Sequence, residues 1–162
     1  MTDLAQRELT VRYGNRDAVH PLSLTVPSGG WLCLIGPNGA GKSSVMRATC
    51  GLAPHGGVIA IAGEETAAMT ARERARRVAY VPQAPVLPAD MTVFDYVLLG
   101  RSPFISYFGS VSAQDRVIAN DILQRLDLAA FSDRMLSTLS GGESQRLVLA
   151  RSIAQGAPVL LL

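Results

Sequence analysis

Gly36-Pro37-Asn38-Gly39-Ala40-Gly41-Lys42-Ser43 decides how the rest of this 162-residue chain is read. The stretch fits the pattern G-x-x-x-x-G-K-[ST], a turn whose glycines let successive backbone N–H groups point into one concavity. It follows the unbroken apolar run Trp31-Leu32-Cys33-Leu34-Ile35 and precedes Ser44-Val45-Met46-Arg47-Ala48. That context predicts a buried strand, then the loop, then a helix whose positive dipole end adds to the N–H groups. An anionic polyphosphate fits such a place. Lys42 would reach the outer phosphates as a point charge and the Ser43 hydroxyl would be a magnesium ligand. Lys42 is also the single lysine among 15 basic residues, the other 14 being arginines. A compact ammonium is kept where a planar fork would not serve.

Outward from that stretch, the bulk composition sets limits. The chain is long enough for one domain with a sizeable core, and 48% hydrophobic with 17% charged residues describes a globular protein. A net charge of +2, spread evenly, is no electrostatic footprint for nucleic acid. No apolar stretch approaches the roughly 20 residues that span a bilayer, and Met1-Thr2-Asp3-Leu4 does not begin an export signal. A cytosolic chain is expected, with Cys33 and Cys50 as buried small hydrophobes rather than a disulfide or metal pair.

Before the loop, Leu9, Val11 and Tyr13 alternate with polar neighbours, as do Leu22, Leu24 and Val26, so two half-buried strands flank the turn near Gly14. Tyr13 closes its strand either as a platform for a nucleobase or as a packed edge residue, and spacing leaves both open. After the loop, Val58-Ile59-Ala60-Ile61-Ala62 and Val78-Ala79-Tyr80-Val81 read as strands, and Thr70 with Glu73 has capping-box spacing before a short arginine-rich helix. Gln83 sits at a strand's carboxyl end, where ligands of α/β sheets collect. Thr92/Asp95 and Ser112/Asp115 are two further capping boxes, with a loop from Gly100 to Gly109 between them carrying Phe104, Tyr107 and Phe108. Those aromatics are either a docking surface or a patch folded onto its own helices. Residues from about 84 to 139 are expected to form a helical insertion between halves of an α/β core.

Leu139-Ser140-Gly141-Gly142-Glu143-Ser144-Gln145-Arg146 is a fourth capping box, Ser140 with Glu143, opening a helix through Ala154. Two adjacent glycines in a first helical turn cost about 1 kcal/mol each relative to alanine. Close approach of a phosphate group to bare N–H groups would supply the reason.

Taken together, Gly36 to Ser44, Tyr80-Val81-Pro82-Gln83 and Leu139 to Arg146 resemble the nucleotide-binding subunits of ATP-binding-cassette transporters, over nearly the whole chain. The resemblance implies an α/β fold: a P-loop NTPase core with an N-terminal β-subdomain and an inserted helical subdomain, residues 1–162 forming one incomplete nucleotide-binding domain. It makes Gly36, Pro37, Asn38, Gly39, Ala40, Gly41, Lys42, Ser43 and Ser44 the Walker A loop and Tyr13 the adenine-stacking aromatic. Gln83 becomes the Q-loop glutamine, acting with Lys42 in catalysis and with Ser43 at Mg2+. Ser140, Gly141, Gly142 and Glu143 become the signature motif that contacts the nucleotide of a second copy.

ATP and Mg2+ are the implied cofactors. The implied partners are a second nucleotide-binding subunit paired head to tail, a transmembrane permease and, indirectly, a substrate-binding protein, with the subunit on the cytoplasmic face of the inner membrane and no nucleic acid. Val97 to Phe104, with Asp115 following, looks like the subgroup that energises import of iron-siderophores, haem or cobalamin. In the family, a run like Pro158-Val159-Leu160-Leu161-Leu162 continues into the Walker B aspartate and catalytic glutamate, so this chain is expected to be truncated before them and to hydrolyse little ATP. His20 and His55 lie in the wrong regions to replace the switch histidine. The alternatives are a soluble cassette acting on nucleic acid or the ribosome, and a gene remnant that does not fold.

Overall fold

The computed structural model describes residues 3–162 and divides after Val78 into two compact units. In the first, β1 (Leu4–Tyr13) and β2 (Arg16–Val26) form an antiparallel hairpin that closes with Tyr13 opposite Arg16. β3 (Gly56–Ile61) pairs with the other edge of β1, and β4 (Glu64–Glu65) follows, giving the order β2-β1-β3-β4. Alternation, re-phased by the register shift between Gln6 and Leu9, puts Leu4, Leu9 and Val11 on the buried face with Ile59 and Ile61 of β3, where each large side chain contributes roughly 1.5–3 kcal/mol. Helix α1 (Lys42–Thr49) packs on β1 and β2 through buried Val45 and Ala48. A buried polar link fixes its far end: Gln6 Nε2 donates to Thr49 Oγ1 at 2.7 Å, and that hydroxyl donates to Val45 O at 2.8 Å. α2 (Ala71–Ala75) opens on the complete Thr70/Glu73 capping box, and two of its arginine run are committed within the unit, Arg74 to Thr66 O and Arg77 to Glu64.

The second unit gathers helices around one apolar core. β5 (Val78–Tyr80) pairs with β6 (Val159–Leu161), the ladder running on as Val81 N–H donates to Leu161 O. Between these strands lie α3 (Val93–Leu98), a 3-10 turn over Leu99–Phe104, α4 (Ala113–Arg125) and α5 (Gly141–Ala154). Val93, Val97, Leu123, Leu128 and Leu147 are fully buried where α3 crosses α4 and α5. Gly100 lets the chain approach α5 closely, for a Cβ there would meet the Arg151 carbonyl and the Ala154 methyl.

Four expectations are corrected. Trp31 to Ile35 is no strand: the segment is irregular, with Trp31 and Ile35 more than nine-tenths exposed. An apolar run becomes a strand only where at least one edge finds N–H and C=O partners, and neither sheet offers one to it among the described residues. Cys33 is accordingly exposed rather than buried. The start of the Gly100 to Gly109 loop is helical, because the chain leaves α3 without a break and the Ser102 hydroxyl donates to Leu99 O at 2.6 Å, tightening the turn to 3-10 geometry. The Thr92 box is half made: Thr92 Oγ1 accepts from Asp95 N–H, but its hydroxyl, not its backbone N–H, is what donates to the Asp95 carboxylate.

Candidate functional site

In the first unit the phosphate-loop residues are held by α1 and β2. Gly41 is the N-cap of α1 at φ 87, and a Cβ there would collide with the Ala18 carbonyl of β2, so glycine is required by both angle and space. α2, α3, α4 and α5 each take a Thr or Ser cap, whereas α1 has no side-chain cap at all. Its first-turn N–H groups therefore have no partner within the helix. Lys42 folds its ammonium back across the loop, donating to Gly36 O at 2.7 Å and Pro37 O at 2.9 Å. Ala40 N–H closes the turn onto Pro37 O, and Ser43 is exposed beside Lys42 at the start of α1. A cleft of about 270 Å³ adjoins the loop, lined among others by Ala18, Val19, Leu34, Ala40, Lys42 and Val45. A positive charge, unspent N–H groups and a left-handed glycine turn are the features that could receive an anion such as a polyphosphate.

Tyr13 ends β1 in the same unit, 45% exposed. Gln83 lies just beyond β5 in the second unit, also exposed.

The second unit holds Ser140 to Glu143 together in a complete capping box. Ser140 N–H donates to Glu143 Oε2 at 2.7 Å and Glu143 N–H to Ser140 Oγ at 3.3 Å. The Ser140 N–H, before any other cause, holds the Glu143 carboxyl below the usual carboxylate range. Gly141 and Gly142 need no left-handed angle, and a Cβ on either would meet nothing within 4 Å. Nothing among the described residues demands glycine there.

Two arginines escaped notice in the sequence. Arg101 donates from Nε to Asp115 Oδ1 at 2.9 Å and from Nη1 to Ala154 O at 2.8 Å, with its guanidinium 4.1 Å from the Phe104 ring centre. Asp115 also accepts from the Ser112 hydroxyl and N–H, and that hydroxyl, followed by Arg101, pulls its carboxyl below the ordinary range. The 3-10 turn, α4 and the end of α5 thus meet at one ion pair. Arg134 forks onto Thr138 on the approach to α5. The capping pattern accounted for Asp115 completely, so no local signal pointed to a partner 14 residues away.

With this geometry in hand, comparison with known proteins is decisive about class. Residues 19–162 match the ABC transporter family. The chain is 35% identical over 163 residues to the iron(3+)-hydroxamate import ATP-binding protein FhuC of Bacillus subtilis, covering 100% of this chain and 61% of that protein. It is 40% identical over 147 residues to the cobalamin import ATP-binding protein BtuD of Halobacterium salinarum, covering 90% of this chain and 36% of that one. A nucleotide-free ATP-binding cassette from an ABC transporter superposes with a TM-score of 0.83 at 23% identity, over 99% of this chain and 68% of that chain, a likeness of fold. The chain belongs to the ABC transporter family, while spanning about 61% of the length of the FhuC relative. Among the described residues no helix is long and apolar enough to cross a membrane.

Proposed function

We propose that the protein of which this chain is part binds and hydrolyses ATP to drive an importer of iron-siderophore, haem or cobalamin. The observation that carries this is the uncapped N-terminus of α1 behind Gly41, with the Lys42 ammonium held over Gly36 and Pro37. The import roles named for the FhuC and BtuD relatives support the importer class. Gly36, Pro37, Asn38, Gly39, Ala40, Gly41, Lys42, Ser43 and Ser44 form the nucleotide cradle, and Tyr13 offers its ring to the adenine. A triphosphate entering the loop competes for the ammonium now spent on two carbonyls and gains the N–H groups of the first turn.

The exposed Ser43 hydroxyl and the exposed Gln83 amide, each taken within its own unit, are neutral oxygen donors of the kind that suits Mg2+. That ion, when bound, neutralises charge developing on the phosphoryl oxygens. Ser140, Gly141, Gly142 and Glu143 face the nucleotide of a second copy in a head-to-tail pair, which is what the crowding-free glycines accommodate. We further propose that residues of about 84–139, the helical insertion, together with Gln83 pass closure of that pair to a membrane permease served by a substrate-binding protein, the subunit lying on the cytoplasmic face of the inner membrane.

The test is a titration with a fluorescent ATP analogue and Mg2+. Saturable binding that Lys42→Ala weakens at least about tenfold, the loss of one charge-assisted contact of about 1.5–3 kcal/mol, supports the reading. Equal affinity in the two proteins overturns it.

A further inference from the structure

Arg134 stands in the turn between Phe131 and the 3-10 segment Leu136–Thr138, anchored by its own backbone: its N–H donates to Phe131 O, and its carbonyl accepts from Val93 N–H at the start of α3. From that fixed point the guanidinium reaches three acceptors. Nη2 donates to Thr138 O at 2.6 Å, Nε donates to Thr138 Oγ1 at 3.3 Å, and Nη1 lies 3.9 Å from Glu143 Oε1. The Phe131 ring covers one face of the guanidinium at 4.9 Å. The acceptors lie on either side of Ser140-Gly141-Gly142, Thr138 before them and Glu143 after. Glu143 in turn holds Ser140 N–H, so the arginine is bonded to one flank of the glycine pair and ion-paired at longer range with the other.

We propose that Arg134 is a positioning residue that sets how Ser140, Gly141 and Gly142 are presented to the nucleotide of a second copy. It touches no nucleotide itself. It stiffens the approach to α5, so that backbone groups with no steric neighbours keep one orientation before a phosphate arrives, which lowers the ordering cost of binding. A planar fork serves Thr138 from Nε and Nη2 while Nη1 faces Glu143, a geometry that an ammonium on a flexible stem cannot hold. The proposal rests on the reading of Ser140 to Gly142 as the contact with a second copy's nucleotide.

Two measurements on the full chain separate the proposal from that reading. Hydrogen exchange of wild type, Arg134→Ala and Arg134→Lys without nucleotide tests the positioning alone. Exchange at the bonded amides of Thr138, Leu139, Ser140, Glu143 and Ser144 is expected to rise about tenfold in both variants, with α3, α4 and the Lys42 loop unchanged, as a local opening requires. Unchanged exchange, full rescue by lysine, or loss of protection spread evenly over the helices overturns it. Nucleotide-driven pairing, followed by light scattering with a slowly hydrolysed ATP analogue and Mg2+, tests the consequence. Arg134→Ala is expected to shift pairing to about tenfold higher protein concentration while single-site analogue affinity stays at the wild-type value. Pairing equal to wild type overturns the proposal. A wild-type chain that binds the analogue yet never pairs overturns the two-copy reading and with it the stated consequence, and is recognised because the exchange result stands apart from it.

Discussion

Asp115→Asn is the substitution whose cost the structure allows to be worked out. Asp115 and Arg101 have side chains only 10% and 11% exposed, so the pair is screened little by water. The substitution removes the counter-charge and leaves the guanidinium enclosed by Phe104 and the Ala154 carbonyl. Breaking a buried pair from one side costs about 3–5 kcal/mol, and the asparagine oxygen, still able to accept one bond, places the expected loss near about 3 kcal/mol. It cannot serve both Arg101 and Ser112, so part of the α4 cap goes as well. Asp121→Asn is the matched control. That residue pairs with Arg125 one helical turn on, at 52% and 72% exposure, and should cost no more than about 0.5 kcal/mol.

Urea unfolding at pH 7, followed by far-ultraviolet circular dichroism, measures both. The sign of the pH dependence is fixed by the direction of the Asp115 shift. A carboxyl held below its ordinary value in the folded chain contributes stability that is fully present above the unfolded value of about 4 and is lost as pH falls through the folded value. The gap between wild type and Asp115→Asn should therefore narrow on acidification below about pH 4. An Asp115→Asn protein within about 1 kcal/mol of wild type at pH 7, or no more affected than Asp121→Asn, refutes the account of this ion pair.

The two thiols should differ sharply in reactivity. Burial pushes the Cys50 thiol up to about 12, whereas Cys33 is exposed, so a disulfide reagent at pH 8 should label Cys33 at once and Cys50 only after unfolding; equal rates would contradict the packing of α1. Gly100→Ala must push backbone away from the Arg151 carbonyl, and a loss of about 1–3 kcal/mol is expected in thermal or urea unfolding. No loss would mean that the 3-10 turn and α5 can separate freely. Gly142→Ala should do the reverse, raising stability by up to about 1 kcal/mol because the position is helical and uncrowded, while weakening nucleotide-driven pairing. A variant that is stabilised and pairs normally removes the reason given for the glycine.

What the sequence made legible, and what it hid, divides by distance along the chain. Thr70/Glu73, Ser112/Asp115 and Ser140/Glu143 are complete boxes in the structure because each is decided within one helical turn, where residue type nearly fixes the bond. The left-handed glycine turn before α1 was readable for the same reason. Trp31 to Ile35 failed because apolarity reports a preference for burial, whereas a strand also needs a neighbouring strand to pair with, which no local pattern supplies. Arg101 with Asp115 and Arg134 with Glu143 are likewise pairings made by tertiary packing, silent until the helices are in place. The glycine pair at 141 and 142 lies between these cases. Its cost is local and visible in the sequence, yet the structure finds neither a left-handed angle nor a crowding atom to justify it. A local cost without a local cause is what the proposed contact with a second copy's nucleotide would account for, an anion meeting the glycine backbone of a helix whose capping box already engages the N–H groups of Ser140 and Glu143.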